Sequence, residues 1–195
     1  MKEMPMLVEI DVGSKLKRFR ETMNMSLEML AKESGVPEQL ISDIENHKVS
    51  PPLGTLTKIA KALNIKVGRF FEEGPRKAYS LVRKDEGGFM SKFQGKNMES
   101  MGVQYLSLGF EKRERLIEPF LVTLTEESRT HNKISLTHPG EEFIYVIEGD
   151  IEFEIMGKTE ILHRGDSAYF DSSMPHAIKL ASGKMAVYLA IFADK

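Results

Sequence analysis

No cysteine occurs anywhere in the 195 residues. Disulfides and thiolate zinc sites are excluded, and any bound metal has only His, Asp and Glu to draw on. Long apolar runs are missing as well. The start, Met1 to Val12, is broken by Lys2, Glu3, Glu9 and Asp11, so it lacks the unbroken apolar stretch of a signal peptide. The longest apolar runs elsewhere are strand-length, far below the roughly 20 residues of a membrane helix. The expectation is a soluble, cytoplasmic protein with no membrane association. A strong charge imbalance is also absent. The net charge is −2, from 11 basic against 9 acidic residues in 1–71 and 16 against 20 in 72–195. That total is too even to argue for a nucleic-acid partner. Its placement is more telling, because Lys15, Lys17, Arg18 and Arg20 cluster near the start of the first predicted helix.

The chain does have a globular composition, 41% hydrophobic and 29% charged, which argues for packed domains and against disorder. Its first part carries helical periods. Leu16, Phe19 and Met23 share one face of a helix over 14–24. Ser26 is a good N-cap for a second helix bearing Leu27, Leu30 and Ala31, and Gly35 suits the left-handed turn that ends it. Pro37 opens a third helix as its first residue, with Leu40, Ile41 and Ile44 inward. A fourth is predicted over 55–63 and a short fifth over 67–71. From about Ala78 the period changes to two. Ile151, Phe153 and Ile155 alternate with Glu152 and Glu154, and Val187, Leu189 and Ile191 do likewise in the last strand. Many short strands separated by Gly turns indicate a sandwich or barrel. Gly74 and Pro75 mark the link between the two parts, and residues 85–102 read as a long surface loop. The reading is therefore multidomain, α followed by all-β, with domains at 1–72 and 103–195 joined by a linker and leading strand over 73–102.

A short helix, a tight Gly turn and a second short helix form a DNA-reading head, whose second helix enters the major groove. Here its outward residues are Glu38, Gln39, Ser42 and Asp43, followed by Asn46 and Lys48. Gln39 suits adenine, and Glu38 and Asp43 suit cytosine. The stretches 27–35, 40–46 and 52–63 resemble the lambda-repressor-like (XRE) family, which implies a five-helix bundle over about residues 10–71. One departure is His47, at a position where that family usually has Gly.

His138-Pro139-Gly140-Glu141-Glu142-Phe143 and Gly165-Asp166, running on to Pro175-His176, resemble the two motifs of the cupins over about residues 102–193. The resemblance implies a double-stranded β-helix barrel. Glu142 shares a strand face with Ile144 and Val146, where a carboxylate is costly unless paired, protonated or metal-bound. With His138 and His176 it makes the two-His, one-carboxylate set that suits Fe, Zn, Ni or Mn. The family's further His falls on Leu136 here. Tyr105 is a ligand-pocket candidate, and His131 and His163 read as exposed.

The pairing of these domains resembles the XRE–cupin regulators. It implies a homodimer on a two-fold DNA operator and a small-molecule effector in the barrel, and no enzyme activity. The alternative is a mononuclear non-haem iron oxidase similar to the hydroxypropylphosphonate epoxidases. Their catalytic lysine falls on Asn24 here, which supplies no cation.

Overall fold

Asp11 starts the first helix: its carboxylate accepts the Ser14 N–H at 2.8 Å, pairing one of the amides that every helix start leaves free. The computed structural model describes residues 11–49, 51–72, 77–83, 90–91, 102–112, 114–129 and 137–193. In it α1 spans Val12–Thr22 and α2 spans Leu27–Ser34. The Ser26 hydroxyl accepts the Met29 N–H at 3.0 Å, and Gly35 closes α2 at φ 67°, both as the sequence led one to expect. The third helix, α3, spans Glu38–Glu45 and the fourth, α4, Leu53–Ala62. Pro37 is the N-cap of α3 and not its first helical residue, and α4 starts directly after Pro52, ahead of the expected Thr55. The expected five helices are not all found: the described residues hold four α-helices. The fifth position holds a single 3-10 turn, Val67–Phe70. Its Phe71 N–H bonds to the Gly68 carbonyl at 2.9 Å, the three-residue spacing that such short turns favour.

The helices bury Leu16, Leu30, Ile41, Ile44, Leu56 and Ile59 together, each contributing about 1.5–3 kcal/mol of hydrophobic stabilisation. A buried ion pair locks α1 to α3. Arg20 Nε and Nη2 each meet a Glu45 carboxylate oxygen at 2.7 Å. This explains why Glu45, on the inner side of α3, is tolerated in the core.

The second part is built from β1 (Met90–Ser91), β2 (Val103–Ser107), β3 (Ile117–Thr125), β4 (Glu141–Glu148), β5 (Ile151–Ile155), β6 (Lys158–Leu162), β7 (Ser167–Asp171), β8 (His176–Leu180) and β9 (Met185–Ala193). A six-stranded sheet in the order β1-β2-β3-β9-β4-β7 accompanies a three-stranded sheet in the order β6-β5-β8. All the strand pairs are antiparallel. Part of the stretch expected to be a surface loop, Met90–Ser91, instead pairs with Leu106 and Tyr105; most of that stretch, with His131 and Leu136, lies outside the described residues. The strand alternation sends Phe120, Val122, Leu124, Ile144, Val146, Tyr188, Ala190 and Phe192 inward, all buried.

The two parts pack against each other. Phe71, just past the 3-10 turn, meets Phe120 of β3 edge to face, with centroids 5.1 Å apart. Arg115 and Glu118 form a buried ion pair at 2.8 Å, and Arg115 Nη2 also donates to the Gly68 carbonyl at 3.3 Å. Lys66 Nζ donates to the Arg115 carbonyl at 2.5 Å. Gly68 is required by close approach, since a Cβ there would overlap the Glu118 carboxylate and the Arg115 guanidinium.

Candidate functional site

His138, Glu142 and His176 converge inside the barrel. Glu142 lies on β4 and His176 opens β8, so each sheet supplies one ligand, while His138 sits in the turn leading into β4. The turn is held by two backbone bonds, His138 N–H to the Ser172 carbonyl at 2.9 Å and Ser172 N–H to the Gly140 carbonyl at 3.1 Å. All three side chains are nearly sealed from solvent, with residue exposures of 4%, 3% and 3%. Those figures rule out a solvated surface cluster.

The hydrogen bonds at the outer ring nitrogens fix what the inner ones present. His138 Nδ1 lies 3.3 Å from the Pro139 carbonyl and His176 Nδ1 2.8 Å from the Met174 carbonyl. A carbonyl only accepts, so each Nδ1 carries a hydrogen, and in the neutral ring each Nε2 turns a lone pair inward. Those lone pairs face Glu142 Oε2 at 3.5 and 3.6 Å. These separations are long for hydrogen bonds, and they set three acceptors against one another. They match the spacing of donors around one cation whose bonds are about 2.0–2.2 Å long. The candidate ligand atoms of all three residues lie within 4.8 Å of one another. The donor set and its spacing therefore fit a divalent metal. Burial pulls His176 below the ordinary imidazole range, keeping it neutral and ready to bind. Backbone carbonyls at the outer nitrogens supply the orientation that metal-bound imidazoles generally receive.

The walls are aromatic. The His138 ring lies 5.3 Å from His176 and 5.5 Å from Phe192, and Phe170 stands 4.9 Å from His176. Tyr105 and Tyr188 face the same interior. Burial and the Glu142 charge push the Tyr105 hydroxyl well above its usual range, and the Leu53 backbone N–H offsets part of this. Burial, then Tyr105, then Glu142 push Tyr188 the same way. Both phenols thus stay protonated and able to donate. Tyr188, Phe170 and Phe192 were missed in the sequence, because an inward aromatic on a strand is indistinguishable from core until its neighbours are known. Ser172, whose backbone brackets His138, keeps a fully buried hydroxyl with no hydrogen-bond partner among the described residues. Such an orphan in a polar recess suits a site that takes a further group.

The other sequence candidates lie on and after α3. Glu38, Gln39, Asn46 and Lys48 are exposed, whereas Ser42 and Asp43 are half-buried. Gln39 Nε2 donates to Asp43 Oδ1 at 3.0 Å and Lys48 Nζ approaches the same oxygen at 3.3 Å. Asn46 Nδ2 bonds to the Ser42 carbonyl at 2.8 Å. Lys48 therefore offsets the negative charge of Asp43 on this face. His47 adopts φ 58°, as its place in the glycine-preferring turn led one to expect. His163 is exposed and lies 2.9 Å from Asp150, away from the buried cluster. Among the described residues no helix is long and apolar enough to cross a membrane.

A helix-turn-helix family model matches residues 16–70 and a cupin-domain model matches residues 123–192. The chain is similar to the HTH-type transcriptional regulator PuuR of Escherichia coli, 28% identical over 170 residues, covering 87% of this chain and 88% of that protein. It is 41% identical over 58 residues to an uncharacterised HTH-type transcriptional regulator of Methanocaldococcus jannaschii, covering 30% of this chain and 88% of that one. Among solved structures, an HTH_3 family transcriptional regulator from Vibrio cholerae superposes with a TM-score of 0.66 at 22% identity, covering 95% of this chain and 96% of that one. That structural likeness extends over both the helical bundle and the barrel. The chain belongs to the helix-turn-helix transcriptional regulators, as a member carrying a C-terminal cupin domain.

Proposed function

We propose that this protein is a cytoplasmic transcriptional regulator that reads DNA with α3 and senses a small molecule in the barrel, through a divalent metal held by His138, Glu142 and His176. The observation that carries the sensing half is the buried cluster itself. Two imidazole lone pairs and a carboxylate, pointed at one another in a dry interior, are stable only with a cation or proton among them. Fe, Zn, Ni and Mn all suit this set. The metal would offer an open position to an effector donor, and Tyr105 and Tyr188 would hydrogen-bond the rest of that molecule. The helical unit is taken as residues 1–72 and the sensing unit as 103–195.

Glu38, Gln39, Ser42, Asp43, Asn46 and Lys48 are the residues assigned to DNA, with Gln39 reading a base edge and Lys48 meeting phosphate. A two-fold operator requires two reading heads, and the outer face of the large sheet supports a homodimer. Registered rows run Leu106, Leu121, Leu189, Tyr145 and Pro119, Ile191, Phe143, Tyr169 across its strands. Tyr145 and Tyr169 on this face are 42% and 67% exposed, and so wide an apolar face calls for a partner.

The oxidase alternative finds no support in the helical part. Asn24 is an exposed turn residue at φ 53° after α1 and brings no cation, and two curated relatives matched over 85% or more of the chain are transcriptional regulators. Selection of genomic fragments by the purified protein tests the reading. Enrichment of one two-fold site is expected. Recovery of random fragments would remove the regulator assignment.

A further inference from the structure

Between the buried cluster and α3 the structure contains a continuous chain of packed groups. It begins at His138, whose ring stacks at a tilt on Phe192, 5.5 Å away. Phe192 meets Phe120 at 5.9 Å, and Phe120 meets Phe71 of the helical domain at 5.1 Å, both edge to face. Phe71 and Phe120 are fully buried. The next residue back, Phe70, packs on Phe19 of α1 at 5.6 Å. Lys15 of α1 holds this corner, donating to the carbonyls of Phe70 at 3.2 Å and Glu72 at 2.8 Å. The Arg20–Glu45 pair then joins α1 to α3.

A second strand of contacts runs beside the first. Phe192 is the register partner of Glu142 on one side and of Glu118 on the other. Glu118 holds Arg115, which reaches the Gly68 carbonyl. Tyr105 adds a third contact, facing Glu142 while accepting the first backbone N–H of α4. Packed interiors respond to a shifted group by repacking in discrete steps, because there is no free volume to absorb it. Drawing His138 and Glu142 onto a cation moves two groups in direct contact with Phe192.

We propose that occupancy of the His138–Glu142–His176 cluster by a divalent cation is relayed to the helical domain through Phe192, Phe120 and Phe71. Arg115 and Glu118 act as the bolt against Gly68 that keeps the two domains in register. The inference rests on the cation-sensing half of the proposed function and specifies how the sensor reaches the reading head. Phe120 and Phe71 are positioning residues, since neither touches the cluster.

The test is amide hydrogen exchange on the full chain with and without Zn(II), with Zn(II) binding followed by calorimetry. In the wild type, Zn(II) is expected to change exchange at Val67–Phe71 and in α3 by about fivefold or more, the size of a typical coupling between sites. Phe120→Leu and Phe71→Leu, made separately so that a folding defect in one does not decide the matter, are expected to bind Zn(II) and lose the remote change. Glu142→Gln is expected to lose both binding and response. Three results overturn the proposal: no Zn(II) binding at the cluster, protection confined to the barrel strands, or a remote change that survives in both leucine variants. No DNA is present in this measurement. Its failure leaves the DNA-reading assignment standing, and failure of fragment selection leaves this result untouched.

Discussion

Glu118 and Glu142 stand in one cross-strand row of the large sheet with only Phe192 between them. Both are buried, at 5% and 3% exposure. One is neutralised by Arg115 and faces the helical domain, whereas the other faces two imidazole lone pairs. The same buried row thus carries one carboxylate committed to domain docking and one left for a cation.

This difference gives Glu142→Gln two effects of opposite sign. An amide can donate to a His Nε2 where the carboxylate cannot, so the metal-free protein should gain about 0.5–1.5 kcal/mol of stability. Metal affinity should fall by more than the roughly 10–100-fold typical of losing an outer-sphere partner. Thermal melts in chelator and calorimetry with Zn(II) check both. A variant that is destabilised without metal would contradict the acceptor-only geometry.

Glu118→Ala should cost about 3–5 kcal/mol, because it strands a buried guanidinium. Gly68→Ala should weaken the same contact from the other side, by forcing a Cβ into that ion pair. Separation of one melting transition into two, for the helical and barrel domains, is the expected signature in calorimetry.

Glu45→Ala should likewise cost about 3–5 kcal/mol through the abandoned Arg20, and chemical denaturation followed by circular dichroism at helical wavelengths measures it. Gln39→Ala should leave stability unchanged and cost about 1–3 kcal/mol on the selected operator only. Lys48→Ala should weaken all DNA alike and reduce the salt slope by about 1.

Two histidines should titrate on opposite sides of the ordinary value. The hydrogen bond and charge of Asp150 raise His163, so its contribution to stability is present below about pH 6.5 and is lost as pH rises through the folded value. Burial lowers His176, so the folded state binds fewer protons there. Stability then falls as pH drops from about 6.5 through its folded value. Asp150→Asn should return His163 to the normal range in a proton NMR titration without moving His176.

Most of this architecture was legible in the sequence. Ser26, Gly35 and the 3.6-residue apolar spacing gave the bundle, and the two-residue alternation with the His138, Glu142 and His176 motifs gave the barrel and its cluster. Helix starts slipped by two residues because Asp11 and Pro52, and not the apolar pattern, decide where α1 and α4 begin. The bolt was not legible. Arg115 and Glu118 look like surface charges in a polar stretch, and the approach of Gly68 from the helical domain, together with the Gly109 and Lys112 carbonyls, encloses the guanidinium. Tyr188 and Phe192 were hidden for a similar reason, since sequence shows which strand face they occupy and not which cavity they line.

The most direct single measurement is a fluorescence-anisotropy titration of the selected operator, against a scrambled fragment and at two salt concentrations, with and without saturating Zn(II). The account predicts operator binding about 10³-fold or more tighter than scrambled DNA, weakening steeply as salt rises and shifting by about fivefold or more with Zn(II). Equal affinity for the two fragments would contradict DNA reading by α3, and operator binding indifferent to Zn(II) would contradict the barrel as its metal-dependent sensor.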